Sequence, residues 1–115
     1  MSRHSTQMCG KFQAALDLLA KRWTGQIIHL LLEEGPLRFG ELSTRLEVVG
    51  DKMLAERLRE LEENGIVDRR IIEKPIGTEY ELTEKGRALS RVFGAVEKWA
   101  DEWLPDGEHR RARAR

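Results

Sequence analysis

The sequence predicts a mainly α-helical chain with one small β-hairpin, an α+β fold. Most apolar residues recur at intervals of three or four, which is typical of amphipathic helices. The stretch 66–82 is instead rich in β-branched residues around a Pro and a Gly, as in a hairpin. With 115 residues, 40% of them hydrophobic and 35% charged, the chain is predicted to be one compact, soluble domain over 11–104.

Two amphipathic helices are predicted first. Residues 1–10 carry no apolar periodicity and are predicted to be a flexible arm. The helix that begins at Lys11 has an apolar face made of Phe12, Ala15, Leu16, Leu19 and Ala20. A second helix follows, with Thr24 as its predicted cap and a stripe made of Ile27, Ile28, Leu31 and Leu32. Gly35-Pro36 ends it, because both residues resist helix continuation.

A short helix, a turn and a longer helix come next. Residues 37–39 are predicted to be a short strand, 40–46 a short helix and 47–50 a turn. In the longer helix, 51–64, Leu54, Leu58 and Leu61 recur at i, i+4 and i+7 and form one apolar stripe. Asp51 is its predicted cap, and Asn64-Gly65 is a strong stop signal. This order is that of a helix-turn-helix.

The outward face of the longer helix suits the major groove of DNA, which admits a helix with a polar, base-reading side. The predicted base-proximal set is Lys52, Met53, Ala55, Glu56 and Arg59. Glu56 can accept from a cytosine amino group, and Lys52 can reach guanine or a phosphate. The alternative is an ordinary surface helix, on which Glu56 pairs with Lys52 and contacts no base.

A hairpin after the second helix of a helix-turn-helix is a wing. Its predicted strands are 66–73 and 78–82, joined by the turn 74–77. Arg69, Arg70 and Lys74 are its predicted phosphate contacts, and alternation puts the two arginines on opposite faces. Arg38, before the short helix, is predicted to contact a phosphate or to pair with Glu41.

The last predicted helix, about 84–104, is capped by Thr83 and carries a long apolar stripe. Its members are Leu89, Val92, Phe93, Val96, Trp99, Ala100 and Trp103. A stripe this large exceeds what so small a domain can cover, and exposed contiguous apolar surface usually marks an interface. The stretch 105–115 is predicted to be a basic, disordered tail.

The composition of the chain argues against several classes of function. The 20 Lys and Arg residues balance the 20 Asp and Glu residues, which argues against a general DNA-coating protein but permits a local basic surface. No run of about 18 apolar residues and no apolar signal core is present, so we expect a cytoplasmic protein without a membrane partner. A single cysteine agrees with a reducing compartment.

Several fragments in this order resemble the HxlR-type winged helix-turn-helix regulators of the MarR-like superfamily. They are Lys21-Arg22-Trp23-Thr24, Leu37-Arg38-Phe39-Gly40-Glu41-Leu42, Leu58-Arg59-Glu60-Leu61-Glu62 with Asn64-Gly65, and Glu79-Tyr80-Glu81-Leu82-Thr83-Glu84-Lys85-Gly86. The resemblance covers roughly residues 9–103. This chain departs from the family pattern at Gly10 (usually proline), at Lys21-Arg22 (usually Gly-Lys) and at Thr78 (commonly valine).

The resemblance implies a cytoplasmic transcription regulator, bacterial or archaeal, that binds pseudo-palindromic double-stranded DNA as a homodimer. The first and last helices of such proteins form the dimer contact. On this chain the implied dimer residues are Phe12, Leu16, Val92, Phe93, Val96, Trp99 and Trp103.

Cys9 has two interpretations. The resemblance implies a sensor of oxidants or electrophiles, and a thiolate near a helix N-terminus and Lys11 is stabilised electrostatically. The alternative is an unreactive, partly buried thiol, because the chain holds no second cysteine to resolve it. A disulfide between the two Cys9 residues of a dimer is compatible with the sensor interpretation.

No cofactor is predicted, and no metal site, since His4, His29 and His109 form no metal-ligand spacing with Cys9. No catalytic constellation is recognisable, so we do not expect an enzyme. We therefore expect a homodimeric, sequence-specific DNA-binding repressor or activator. The rival is a winged-helix protein-interaction module that does not bind DNA, which zero net charge and the acidic run Glu60, Glu62, Glu63 favour modestly.

Overall fold

The computed structural model describes residues 2–106, with side chains from Gly10 onward. Its helices are α1 (Ser2–Leu19), α2 (Thr24–Glu34), α3 (Phe39–Arg45), α4 (Asp51–Glu63), α5 (Glu84–Arg87) and α6 (Leu89–Trp103). Its strands are β1 (Leu37–Arg38), β2 (Val67–Glu73) and β3 (Ile76–Leu82). Within residues 2–106 the helices lack an apolar segment of the length that a bilayer crossing needs. The predicted mainly α fold with a small hairpin is confirmed.

The core lies between α2, α4 and the sheet. Leu54, Leu58 and Leu61 of α4 are each at most 1% exposed, so the predicted inward stripe is confirmed. They pack in one apolar cluster whose other buried members are Ile27, Ile28, Leu31, Leu37, Leu42, Ile66, Val67, Tyr80 and Leu82. Because α4 is anchored along its whole inner side, its opposite side is presented to solvent.

The sheet has three antiparallel strands in the order β1-β3-β2, one more than a simple hairpin. β2 and β3 pair from Val67 opposite Leu82 to Glu73 opposite Ile76. Only Lys74-Pro75 therefore remains as the turn, and the returning strand begins before the predicted Thr78. β1 pairs with the base of β3, Leu37 opposite Tyr80, which fixes the wing beside α3.

The predicted caps of α2 and α4 are wrong. α2 is preceded by Trp23 in the left-handed region (φ 76°), and Thr24 is its first helical residue with its side chain buried. α4 is preceded by Gly50 at φ 85°, a conformation that favours glycine. Asp51 is already helical, and its carboxylate accepts a bond of 2.5 Å from the Ser43 hydroxyl of α3. That bond joins the two helices of the helix-turn-helix.

The last predicted helix is divided into α5 and α6 at Ala88, which keeps a right-handed helical backbone. Thr83 caps α5 as predicted, since its hydroxyl accepts a bond of 3.1 Å from the Gly86 amide. A Cβ at position 86 would overlap the Ile66 carbonyl oxygen and lie 2.9 Å from Leu82 Cδ2. Gly86 is thus a contact point between α5 and the base of the wing.

Helix α1 begins at Ser2 rather than near Lys11. Apolar periodicity could not reveal its first turns, because residues 2–10 have none. Within α1, every residue from Gly10 to Asp17 is exposed. Of the predicted tail at 105–115, residues 107–115 lie outside the described part of the chain.

Candidate nucleic-acid interface

The outer face of α4 carries the predicted base-proximal residues. Lys52, Ala55, Glu56 and Arg59 are exposed, and Met53 is half-buried. The alternative pairing of Glu56 with Lys52 is absent from the side chains described, where the ion-pair partner of Glu56 is Arg57, 4.0 Å away. Lys52 makes no ion pair within residues 10–106. On this face Lys52 is therefore an open positive charge, and Glu56, one turn away, is held only by the long contact to Arg57.

Arg59 is engaged with its own helix. Its Nη1 donates to Glu63 Oε2 at 3.0 Å, and both side chains are about 60% exposed. An exposed pair of this kind is worth about 0.3–0.5 kcal/mol, so a phosphate or base can displace it at little cost.

The two wing arginines point in opposite directions, as strand alternation predicted. Arg69 Nε lies 3.6 Å from Glu62 Oε1 at the end of α4. Arg70 Nη2 lies 2.7 Å from Glu79 Oε1 and 3.4 Å from Glu81 Oε1, both on β3. Both guanidinium groups are thus partly neutralised within the chain. Lys74, in the turn at the tip, is exposed and makes no ion pair among residues 10–106.

The predicted ion pair between the Arg38 guanidinium and Glu41 does not form in this structure. The backbone amide of Arg38, not its guanidinium, bonds the Glu41 carboxylate, at 2.8 Å. Its Nη1 donates to the Pro75 carbonyl at the wing tip, also at 2.8 Å. The bond holds the tip against the start of α3, across an open cleft of about 540 Å³. Arg38 therefore positions the wing relative to the helix-turn-helix.

Two pKa shifts belong to side chains that join elements rather than to the outer face of α4. Burial raises the pKa of Tyr80 above its ordinary value, with nearby Glu62 acting in the same direction and Arg69 against it. The hydrogen bond from Arg45 to Glu34, together with the charge of Glu34, raises the pKa of Arg45. The first group locks the sheet to the core, and the second ties α3 to α2.

A large apolar surface remains uncovered on α1 and α6. Phe12 is 64% exposed, Trp99 is 56% exposed and Trp103 is 70% exposed. Of the seven predicted dimer residues the exposed ones are Phe12, Leu16, Val92, Val96, Trp99 and Trp103. Phe93 differs, because it packs partly against the core and lines a cleft of about 530 Å³ between α2 and α6.

One residue that sequence reasoning missed is Arg57. Its side chain is only 13% exposed, and its Nε donates at 2.9 Å to the carbonyl oxygen of Arg22, in the junction between α1 and α2. Its place at i+3 from Leu54, on the edge of the apolar stripe, could have indicated half-burial. Its partner could not be found from sequence, since Arg22 is 35 residues away.

The side chain of Cys9 lies outside the described part of the structure, although the backbone of that residue belongs to α1.

A helix-turn-helix whose second helix turns a polar face outward, followed by a hairpin, defines the winged helix-turn-helix class of DNA-binding transcription regulators. Residues 18–108 match the model of the HxlR-like helix-turn-helix family. The chain belongs to that family, and the resemblance drawn from its motifs is confirmed.

Similarity to individual proteins supports the same family assignment. The HTH-type transcriptional regulator YodB of Bacillus subtilis is 48% identical over 102 residues, covering 88% of this chain and 90% of that protein. The reduced form of B. subtilis YodB superposes with a TM-score of 0.78 at 48% identity, over 86% of this chain and 97% of that one. The redox regulator HypR in its reduced form gives a TM-score of 0.73 at 31% identity, over 80% of this chain and 91% of that one. YodB has also been solved bound to a quinone and after diamide treatment, and HypR in an oxidised form.

Proposed function

We propose that this chain is a homodimeric regulator that binds a pseudo-palindromic operator with α4 in the major groove. The observation that carries the proposal is the two-sided character of α4. Its leucines are buried in the core, while Lys52, Ala55 and Glu56 are open to solvent. A groove-reading helix needs this arrangement, because its inner side must be rigidly held and its outer side must reach base edges.

The wing and Arg38 are proposed to contact the DNA backbone. Lys74 is the most available wing cation, whereas Arg69 and Arg70 must exchange a carboxylate partner for a phosphate. Phosphate contacts position a protein on DNA and base contacts specify the sequence. We therefore assign affinity mainly to the wing and specificity mainly to Lys52, Met53, Ala55, Glu56 and Arg59.

The dimer is proposed to form through α1 and α6. Their exposed aromatic and branched side chains form the kind of contiguous apolar surface that marks an interface. Two-fold symmetry then pairs the α4 helices, and the operator must be correspondingly symmetric.

These assignments are tested by selecting bound duplexes from a random DNA pool with the purified protein. We expect an inverted repeat with half-sites one helical turn apart, and binding that weakens steeply as salt rises. Glu56→Ala should change the selected sequence, whereas Lys74→Ala should weaken binding to all sequences. Absence of binding to any duplex at low salt would favour the protein-interaction module.

Regulation through Cys9 is proposed as well, supported by the quinone-bound and diamide-treated forms of YodB. Cys9 is the only cysteine, so oxidation by diamide can form a disulfide only between two chains. Each disulfide would remove one hydrogen from each thiol, and diamide would accept both.

Mass spectrometry under non-reducing conditions, with the operator complex followed in parallel, tests this second part. A covalent dimer or a quinone adduct accompanied by release of DNA supports the sensor. Cys9→Ser is the control and should keep DNA bound under both treatments. A wild-type protein that keeps an unmodified thiol would remove Cys9 as the sensor.

A further inference from the structure

Arg57 connects α4 to the junction between α1 and α2. It is the least exposed of the charged α4 side chains that form ion pairs, at 13%. Its Nε donates to the Arg22 carbonyl at 2.9 Å. A guanidinium bonded to a backbone carbonyl across 35 positions restricts how far the two elements can move apart.

A second link lies one turn further along α4. Glu60, 18% exposed, accepts from Arg57 Nη1 at 3.3 and 3.4 Å. The same carboxylate lies 3.3 Å from Lys21 Nζ. Arg57 and Glu60 thus bind two consecutive residues of the α1–α2 junction, Lys21 and Arg22.

The junction itself is a defined bend. Trp23 has a φ of 76°, which a bulky side chain adopts only when its surroundings determine it. The Arg22 guanidinium lies 4.9 Å from the centre of the Trp23 ring. Because α1 is exposed from Gly10 to Asp17, its direction relative to the body is set at this end.

We propose that Arg57 is a positioning residue that sets the orientation of α4 relative to α1. The inference rests on the proposed homodimeric DNA binding. If α1 carries the dimer contact, the bonds of Arg57 determine the separation of the two α4 helices across the two-fold axis. Specific binding needs both helices in register, whereas binding to random DNA needs mainly phosphate attraction.

The first experiment compares Arg57→Gln with the wild type on the selected operator and on a random-sequence duplex of equal length. The ratio of the two affinities should fall at least tenfold. The matched control is Arg87→Gln, which removes another guanidinium-to-carbonyl bond, to Leu82 at 2.8 Å, far along the chain in α5. That control should keep the wild-type ratio. Equal losses on both duplexes for Arg57→Gln would overturn the positioning role.

The second experiment measures the geometry without DNA. A spin label at Ala55→Cys, in a Cys9→Ser background, reports the distance between the two α4 helices of a dimer by electron–electron double resonance. Arg57→Gln should shift or broaden the distance distribution, and Arg87→Gln should not. An unchanged distance distribution in Arg57→Gln would overturn the positioning role, whether or not the wild type binds DNA. Absence of DNA binding by the wild type would separately refute the proposed function.

A third variant covers the case in which Arg57→Gln does not fold. Arg57→Lys keeps the charge but cannot bond the Arg22 carbonyl and Glu60 through one planar group. Arg57→Lys should lower the ratio of operator affinity to random-DNA affinity at least threefold. Where Arg57→Gln folds, Arg57→Lys should have the smaller effect of the two. A folded Arg57→Lys protein with the wild-type ratio and distance distribution would refute the proposal.

Discussion

Trp103 is the side chain through which the proposed dimer can be tested most sharply. It lies in the last turn of α6 and is 70% exposed, while an aromatic residue of its size has about 150–250 Å² to bury. About 100–175 Å² therefore remains open, and covering it contributes about 2.5–4.5 kcal/mol at about 25 cal/mol per Å². A two-fold interface contains the residue twice. If only half of the area is covered in each chain, Trp103→Ala costs the dimer about 3 kcal/mol.

A loss of about 3 kcal/mol raises the dimer Kd by about two orders of magnitude. Sedimentation equilibrium over a wide concentration range measures this directly, with circular dichroism to verify that the variant is folded. Ile71→Ala is the matched control, because Ile71 is 72% exposed but lies on the wing. It should leave the Kd unchanged. An unaltered Kd for Trp103→Ala, or a wild-type chain that stays monomeric when concentrated, would refute the assignment of α6 to the interface.

Three further predictions concern stability and charge. Gly86→Ala should lower the free energy of unfolding by about 1–3 kcal/mol, since the added methyl meets the Ile66 carbonyl. Gly40→Ala is the control and should not lower it, because the space around Gly40 is open. Equal melting temperatures for the two variants would contradict this prediction. Lys74→Ala should flatten the slope of log K against log salt by about 1.8, because a dimer carries two copies of Lys74 and each phosphate contact contributes about 0.9. Arg70→Ala should flatten it by less, because Arg70 already pairs with Glu79. A larger change for Arg70→Ala than for Lys74→Ala would contradict this prediction. Because burial raises the pKa of Tyr80 above its ordinary value near 10, the folded chain keeps that proton while the unfolded chain releases it, so stability should fall as pH rises past about 10. Denaturant titrations should show a smaller fall for Tyr80→Phe, and identical pH profiles would refute the cause given.

Much of the fold follows from local pattern. Leu54, Leu58 and Leu61 could be assigned to the core because one helical period places them on one face. The wing followed from the β-branched run before Lys74-Pro75, where two strands must reverse. The polar face of α4 could then be predicted as well, because it lies on the side of the helix opposite the buried leucines.

What sequence could not supply depends on tertiary position. A positive φ at Trp23 is unusual for a bulky residue, so no local rule predicted that Trp23 would be the residue that precedes α2. The bonds of Arg38 to Pro75 and of Arg57 to Arg22 join positions more than thirty residues apart. Alternation separated Arg69 from Arg70 correctly, but only the packed structure reveals that both already have carboxylate partners.

Hydroxyl-radical footprinting on the selected operator tests most directly whether two α4 helices contact one duplex. We expect two protected clusters related by a two-fold axis and separated by one helical turn, about 10–10.5 base pairs. Both clusters should disappear together in Trp103→Ala at concentrations where that variant is monomeric. A single protected cluster, or two clusters that respond independently to the substitution, would contradict the dimeric recognition proposed for this chain.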